Sequence, residues 1–301
     1  MPPRVGVLLA VVFWGISFVA TKAVLREVSP VALVFTRFLL GALLLLAVLA
    51  ARGAPLVPPR DTWGPLALMG FVGVFVHQML QSTGLVTTSA LNTGWLIGLV
   101  PIWSAILATL FLRERFGPGK AVGLAIGFAG ALLVVTRGRL SRDVLGLPST
   151  RGDLLVLAST VNWAIYSVLG HGTIRRLGPA RATAGIMTLG CVMLAVPFVA
   201  TAAWREYPAL TSTGWGAIAF LGLGCSGLGY LFWYGALEKL EATRVAAYLY
   251  LEPLVTMLAA AWLLREPITA TTVGGGLLVL AGVMVVQRSG RTTPAPVEEA
   301  A

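Results

Sequence analysis

The chain has 301 residues, 57% of them hydrophobic and only 11% charged, with a formal net charge of +10. A soluble domain needs a largely polar surface, so this composition excludes one. The excess Lys and Arg are scattered among short connections rather than gathered on one face, which argues against a nucleic-acid partner.

A bilayer crossing needs roughly 20 predominantly apolar residues. Ten stretches qualify, at about 5–25, 31–51, 64–83, 89–111, 119–136, 153–170, 182–203, 214–234, 243–264 and 271–288. A transmembrane barrel would instead show strands of roughly 10 residues with alternating polarity, so the fold class is all-α integral membrane. The first stretch is too long for a secretion signal and no small-residue cleavage site follows, so it reads as a retained helix. Breakers mark the connections: Ser29-Pro30, Pro58-Pro59, Gly117-Pro118, Gly178-Pro179 and Tyr207-Pro208. Cys191 and Cys225 both fall inside apolar stretches and carry no redox information. The polar tail after Arg288 is expected to be disordered.

Nine residues of less interchangeable types recur 152 positions apart. Trp63-Gly64 returns as Trp215-Gly216, Gly70 as Gly222, Leu85 as Leu237, Pro101 as Pro253, Arg113-Glu114 as Arg265-Glu266, Gly123 as Gly275 and Gly130 as Gly282. In the first two stretches of each half the offset is 149, pairing Trp14 with Trp163, Pro30 with Pro179 and Lys22 with His171. The chain therefore divides into a first five-helix repeat (1–137), a linker (138–150), a second five-helix repeat (151–288) and a tail (289–301). An odd number of crossings per copy requires the second copy to enter the bilayer inverted, an architecture of secondary transporters with the substrate site near the midplane. With the N-terminus inside, the inner segments hold thirteen Lys and Arg and the outer ones eight. Both termini are thus expected in the cytoplasm of a bacterial inner membrane, the basic linker dissenting.

Trp14-Gly15-x-Ser17-Phe18 followed by Lys22, then Arg37-Phe38, resembles the opening of the drug/metabolite transporter superfamily in its EamA branch. Pro101 with Arg113-Glu114-Arg115, and Glu252-Pro253 with Arg265-Glu266, extend the likeness over the whole chain except the tail. The resemblance implies ten helices around a central cavity and export of small metabolites. Arg37 has no counterpart in the second half, so its role is not duplicated.

Repeat-related positions should line the same central space. Gln78, Gln81 and Ser82 lie on one helical face, and their mates are Tyr230, Trp233 and Tyr234. An amide facing lipid is costly, so this face reads as cavity lining, the alternative being interhelical hydrogen bonding. His77 adjoins it, as a proton-responsive group or a structural one in equal measure. Arg244, Tyr248 and Glu252 are spaced i, i+4, i+8, with Glu252 at membrane depth ahead of Pro253. Substrate contact and a structural acid at the proline kink are both open readings of Glu252. Trp14 and Trp163 sit too deep for an interfacial belt, leaving cavity lining or core packing, and Ser17, Tyr166 and Asn162 accompany them. Asn92 and Trp95 are expected to face inward with them. Arg37 is placed to neutralise a carboxylate on the protein or on a substrate, a structural pairing being favoured because the second stretch lies at the periphery, and Glu266 reads as a headgroup anchor.

No Cys/His cluster, HExxH or phosphate loop occurs, so neither metal nor cofactor is expected. The expected function is export of small amphipathic metabolites, amino acids with aromatic or other apolar side chains foremost, by alternating access. A proton-coupled multidrug carrier is the nearest alternative; an integral membrane enzyme or a lipid scramblase is further off, since no nucleophile–base set is evident. The partners are a small-molecule substrate and membrane lipid, and a monomer suffices.

Overall fold

The computed structural model describes residues 1–111, 117–138, 147–240 and 242–290. The Arg113-Glu114 pair, most of the linker and the tail from Arg291 lie outside the described residues. Helices α1 (Pro3–Val24) and α2 (Pro30–Ala51) both start on a proline, which loses nothing where the first N–H has no helical partner. Ser29 caps α2 by accepting the Ala32 N–H at 3.3 Å. The third stretch comprises α3 (Trp63–Met69), a π-helical segment Gly70–Val76 and α4 (His77–Thr87). The fourth is broken into α5 (Ala90–Ile97) and α6 (Val100–Phe111), followed by α7 (Pro118–Thr136).

The second half runs α8 (Pro148–Leu177), α9 (Pro179–Ala200), α10 (Ser212–Ala219), a π-helical segment Phe220–Leu228 and α11 (Gly229–Leu237). It ends with α12 (Ala242–Ala247), a 3₁₀ turn Tyr248–Leu251, α13 (Glu252–Leu263) and α14 (Ala270–Gly290). No strand occurs among the described residues. Eight helical stretches there are long and apolar enough to cross a membrane. The 30-residue α8 and the shorter apolar run Tyr248–Leu263 occupy the two remaining places expected from the sequence.

Local irregularities recur at the 152-residue offset. Both π-helical segments begin at or just before a glycine of the repeat, Gly70 and Gly222. Both fourth stretches break ahead of Pro101 and Pro253, whose missing N–H and ring disfavour a continuous α-helix. Packing is reciprocal as well: α4 lies on α8 while α1 lies on α11. Helices α7 and α14 cross closely, because a Cβ on Gly123 would lie 2.7 Å from the Gly282 carbonyl oxygen and one on Gly130 would lie 2.5 Å from that of Gly275. Gly123 meeting Gly282 while Gly130 meets Gly275 makes the two helices antiparallel. Small residues permitting such approach are a principal source of helix association in lipid.

Candidate functional site

Two aromatic groups form where the halves meet. In the first, the Trp14 ring lies 5.4 Å from Tyr230 and 5.2 Å from Trp233, and Tyr230 lies 6.0 Å from Tyr234. The Tyr234 hydroxyl accepts from Thr183 Oγ1 at 3.1 Å. In the second, Trp163 lies 4.8 Å from the His77 ring and 4.9 Å from Tyr166. Tyr166 fills the space left by Gly73, whose Cβ would enter its ring. Tyr166 belongs to a buried cluster against which Trp163 and Tyr230 both pack.

The π-helical segments orient these rings. A wide turn leaves backbone carbonyls without an i+4 donor, and such bulges often sit at functional positions. Trp14 Nε1 donates to the Cys225 carbonyl at 3.1 Å, and Asn162 Nδ2 donates to the Val72 carbonyl at 2.6 Å. Each donor comes from the first helix of the opposite half, so each bond ties one repeat to the other. His77 Nδ1 lies 2.9 Å from the Ser159 carbonyl, which makes that nitrogen the protonated one.

Arg37, on α2, bridges the two third stretches. Its Nε donates to Ser226 Oγ at 3.0 Å, and a terminal nitrogen reaches Gln78 Oε1 at 3.5 Å. Gln81 is buried with no hydrogen bond to its amide among the described residues. Glu252 is half-buried and within electrostatic range of Tyr230, as is Arg37. No ion pair to Glu252 occurs among the described residues.

The EamA-like transporter family model matches twice, over residues 4–136 and 150–288. The chain belongs to the EamA-like transporter family. A protein of Archaeoglobus fulgidus, described as an uncharacterized transporter, is 35% identical over 93% of this chain and 96% of its own length. A protein of Streptantibioticus cattleyicolor named "Probable terminal-alkyne amino-acid exporter" is 28% identical over 94% of this chain and 92% of its own. Among the solved structures that match, a crystal structure has a TM-score of 0.66 at 20% identity, covering 96% of this chain and 98% of that one, a likeness of fold. This EamA-like transporter is a multi-pass membrane protein.

Several expected site residues lie elsewhere. Trp95 is 1% exposed and packs against Gly276 of α14, whose missing side chain makes room for its rings; it is core. Asn92 turns to α8, where its Nδ2 lies 3.3 and 3.4 Å from the two oxygens of Asp153. Ser17 Oγ donates to the Trp14 carbonyl at 2.7 Å within its own helix. Arg244, Tyr248 and Glu252 do not share one α-helical face, because the 3₁₀ turn changes the rotation per residue between them. Arg244 is exposed, while Tyr248 packs with Trp233, Val7 and Ala236. Two cavities are defined outside this cluster, about 360 Å³ beside Pro101 and Lys120 and about 230 Å³ beside Trp63 and Thr188; neither is lined by any of the expected site residues.

Three charged residues gain roles that spacing did not suggest. Asp153 accepts from the Thr88 hydroxyl as well as from Asn92 and is fully buried. Glu266 is a helix cap rather than a headgroup anchor: its two oxygens accept the Ala90 and Leu91 N–H groups, each at 2.9 Å. Lys22 Nζ donates to the Leu85, Val86 and Thr88 carbonyls at 2.7, 3.0 and 2.7 Å, closing the C-terminus of α4. The only advance signal for Asp153 was a carboxylate close to an apolar run; the side chain of His171, the mate of Lys22, is outside the description.

Proposed function

We propose that this transporter is a secondary carrier that exports small amphipathic metabolites, chiefly amino acids with aromatic or other apolar side chains, by alternating access. The observation that carries the proposal is the pair of ring groups, Trp14 with Tyr230 and Trp163 with Tyr166, drawn from both halves and packed against one buried cluster, with Glu252 in electrostatic range of Tyr230. Rings bind an apolar side chain, and the amides and charges bind the polar end of the same molecule. The exporter name of the Streptantibioticus cattleyicolor relative supports the same class. Ten crossings arranged as two inverted repeats, 1–137 and 151–288 joined by a linker, are consistent with the double family match and the antiparallel crossing of α7 and α14. The proposed setting is the bacterial inner membrane with both termini in the cytoplasm.

The test is uptake of labelled Phe, Met, Thr and Leu by purified protein in liposomes preloaded with the unlabelled amino acids. Accelerated exchange of at least one is the expected result; no acceleration by folded protein sinks the amino-acid reading. Glu252, which has no ion pair among the described residues, favours a second reading, proton-coupled drug efflux. Glu252→Gln separates the two: loss of the pH dependence of drug efflux with binding retained supports the drug carrier.

A further inference from the structure

Arg37 is 7% exposed and has no carboxylate partner among the described residues. Its neighbours are neutral: Ser226 Oγ at 3.0 Å, Gln78 Oε1 at 3.5 Å and the Phe38 ring, whose centroid is 5.4 Å from the guanidinium carbon. A guanidinium carries five N–H donors in a rigid fork, and these contacts leave most of them unused. Burying such a charge without a counter-anion is strongly unfavourable, and its usual remedy is an ion pair. No protein carboxylate answers it among the described residues.

Glu252 is the opposite case. Arg37 and Glu252 both interact electrostatically with Tyr230, and Glu252 too has no ion pair among the described residues. Two opposite charges thus both lie within electrostatic range of one ring of the aromatic cluster. A molecule with a carboxylate and an ammonium on one carbon, and an apolar side chain, satisfies both charges and the rings together. A phosphate or sulfate ester meets Arg37 but places a second anion near Glu252.

We infer that Arg37 anchors the carboxylate of a zwitterionic amino-acid substrate, with Glu252 facing its ammonium group. This rests on the amino-acid reading proposed above and specifies how that substrate is held. One guanidinium serves one carboxylate, which accords with Arg37 having Ile186 as its repeat mate.

The experiment compares inhibition of labelled Phe exchange by unlabelled L-phenylalanine and by L-phenylalaninamide, which keeps the ammonium and ring but lacks the carboxylate. Wild-type protein is expected to prefer phenylalanine by about tenfold or more, the range of a charge-assisted hydrogen bond. In Arg37→Gln that preference falls to within about threefold of unity. General damage to the fold lowers both ligands together and leaves the ratio unchanged. A wild type that exchanges Phe, with an Arg37→Gln variant that keeps the full preference, overturns the inference and leaves the carrier reading standing. A wild type that exchanges none of the amino acids overturns both. Should Arg37→Gln not purify as a single species, Arg37→Lys replaces it, keeping the charge without the fork. A reduced preference there supports the inference, and an unchanged one overturns it.

Discussion

Trp163 touches His77 on one side and Tyr166 on the other, so its removal opens the middle of the ring cluster. Trp163→Ala is expected to lower amino-acid exchange by about tenfold or more, since an aromatic contact is worth roughly 0.5–1.5 kcal/mol beyond the area it buries and two are lost. Exchange in liposomes, normalised to folded protein, checks this. His77 has a different part. Its Nδ1–H is committed to the Ser159 carbonyl, and an asparagine amide reaches much the same position. His77→Asn should therefore keep exchange within about twofold of wild type, whereas a proton-relaying histidine would not tolerate that change. Of the residues that meet here, the aromatic ones were legible in the sequence because both repeats depart from aliphatic residues at matching positions. The structural pairing favoured for Arg37 has no acid to support it among the described residues, since a sequence shows a buried charge but not what faces it.

At the scale of elements, the tightest junction is the crossing of α7 on α14. A Cβ at Gly123 would sit 2.7 Å from the Gly282 carbonyl oxygen and 2.8 Å from the Val286 nitrogen, and backbone atoms of a packed helix cannot yield as a side-chain tip does. Gly123→Val is expected to destabilise the protein by about 1–3 kcal/mol, the usual cost of overpacking, read as a lower midpoint in thermal unfolding in detergent. Gly117→Ala is the control, since a Cβ there meets nothing within 4 Å. Glycine matches at the repeat offset marked these positions in advance. Repeat glycines marked where the π-helical segments begin but not their wide turns, whose carbonyls are stabilised by Trp14 and Asn162 from the other half, contacts far apart in sequence.

Across the whole molecule, the two ends differ. The connection between α4 and α5 is tied by Lys22 from α1, Asp153 from α8 and Glu266 from the segment after α13. On the repeat-related connection, Glu238 and Lys239 are exposed. Under the alternating access proposed above, the first set of contacts breaks when the carrier turns over. Glu266→Gln removes the charge that caps two N–H groups of α5, about 1 kcal/mol of stabilisation for that closed end. The tied state should lose population by about fivefold. A cysteine introduced at Gln81, with Cys191 and Cys225 replaced, should then react correspondingly faster with a thiol reagent applied from the Lys22 side. An unchanged rate would show that these contacts do not hold that end shut.

The sequence by itself determined that the chain is helical and membrane-embedded, that it is built from two copies of one unit, and which family it resembles. Those properties follow from run lengths of apolar residues and from repeats of Trp, Pro and Gly, all of which are local or periodic. Tertiary structure alone decided that Trp95 is core, that Asn92 turns to Asp153, that Glu266 and Lys22 are caps, and that Arg37 meets Gln78 and Ser226 instead of an acid. Each of those outcomes depends on which side chain from a distant helix arrives within about 3 Å, because a buried polar group is stabilised by its partner and not by its own position in the chain.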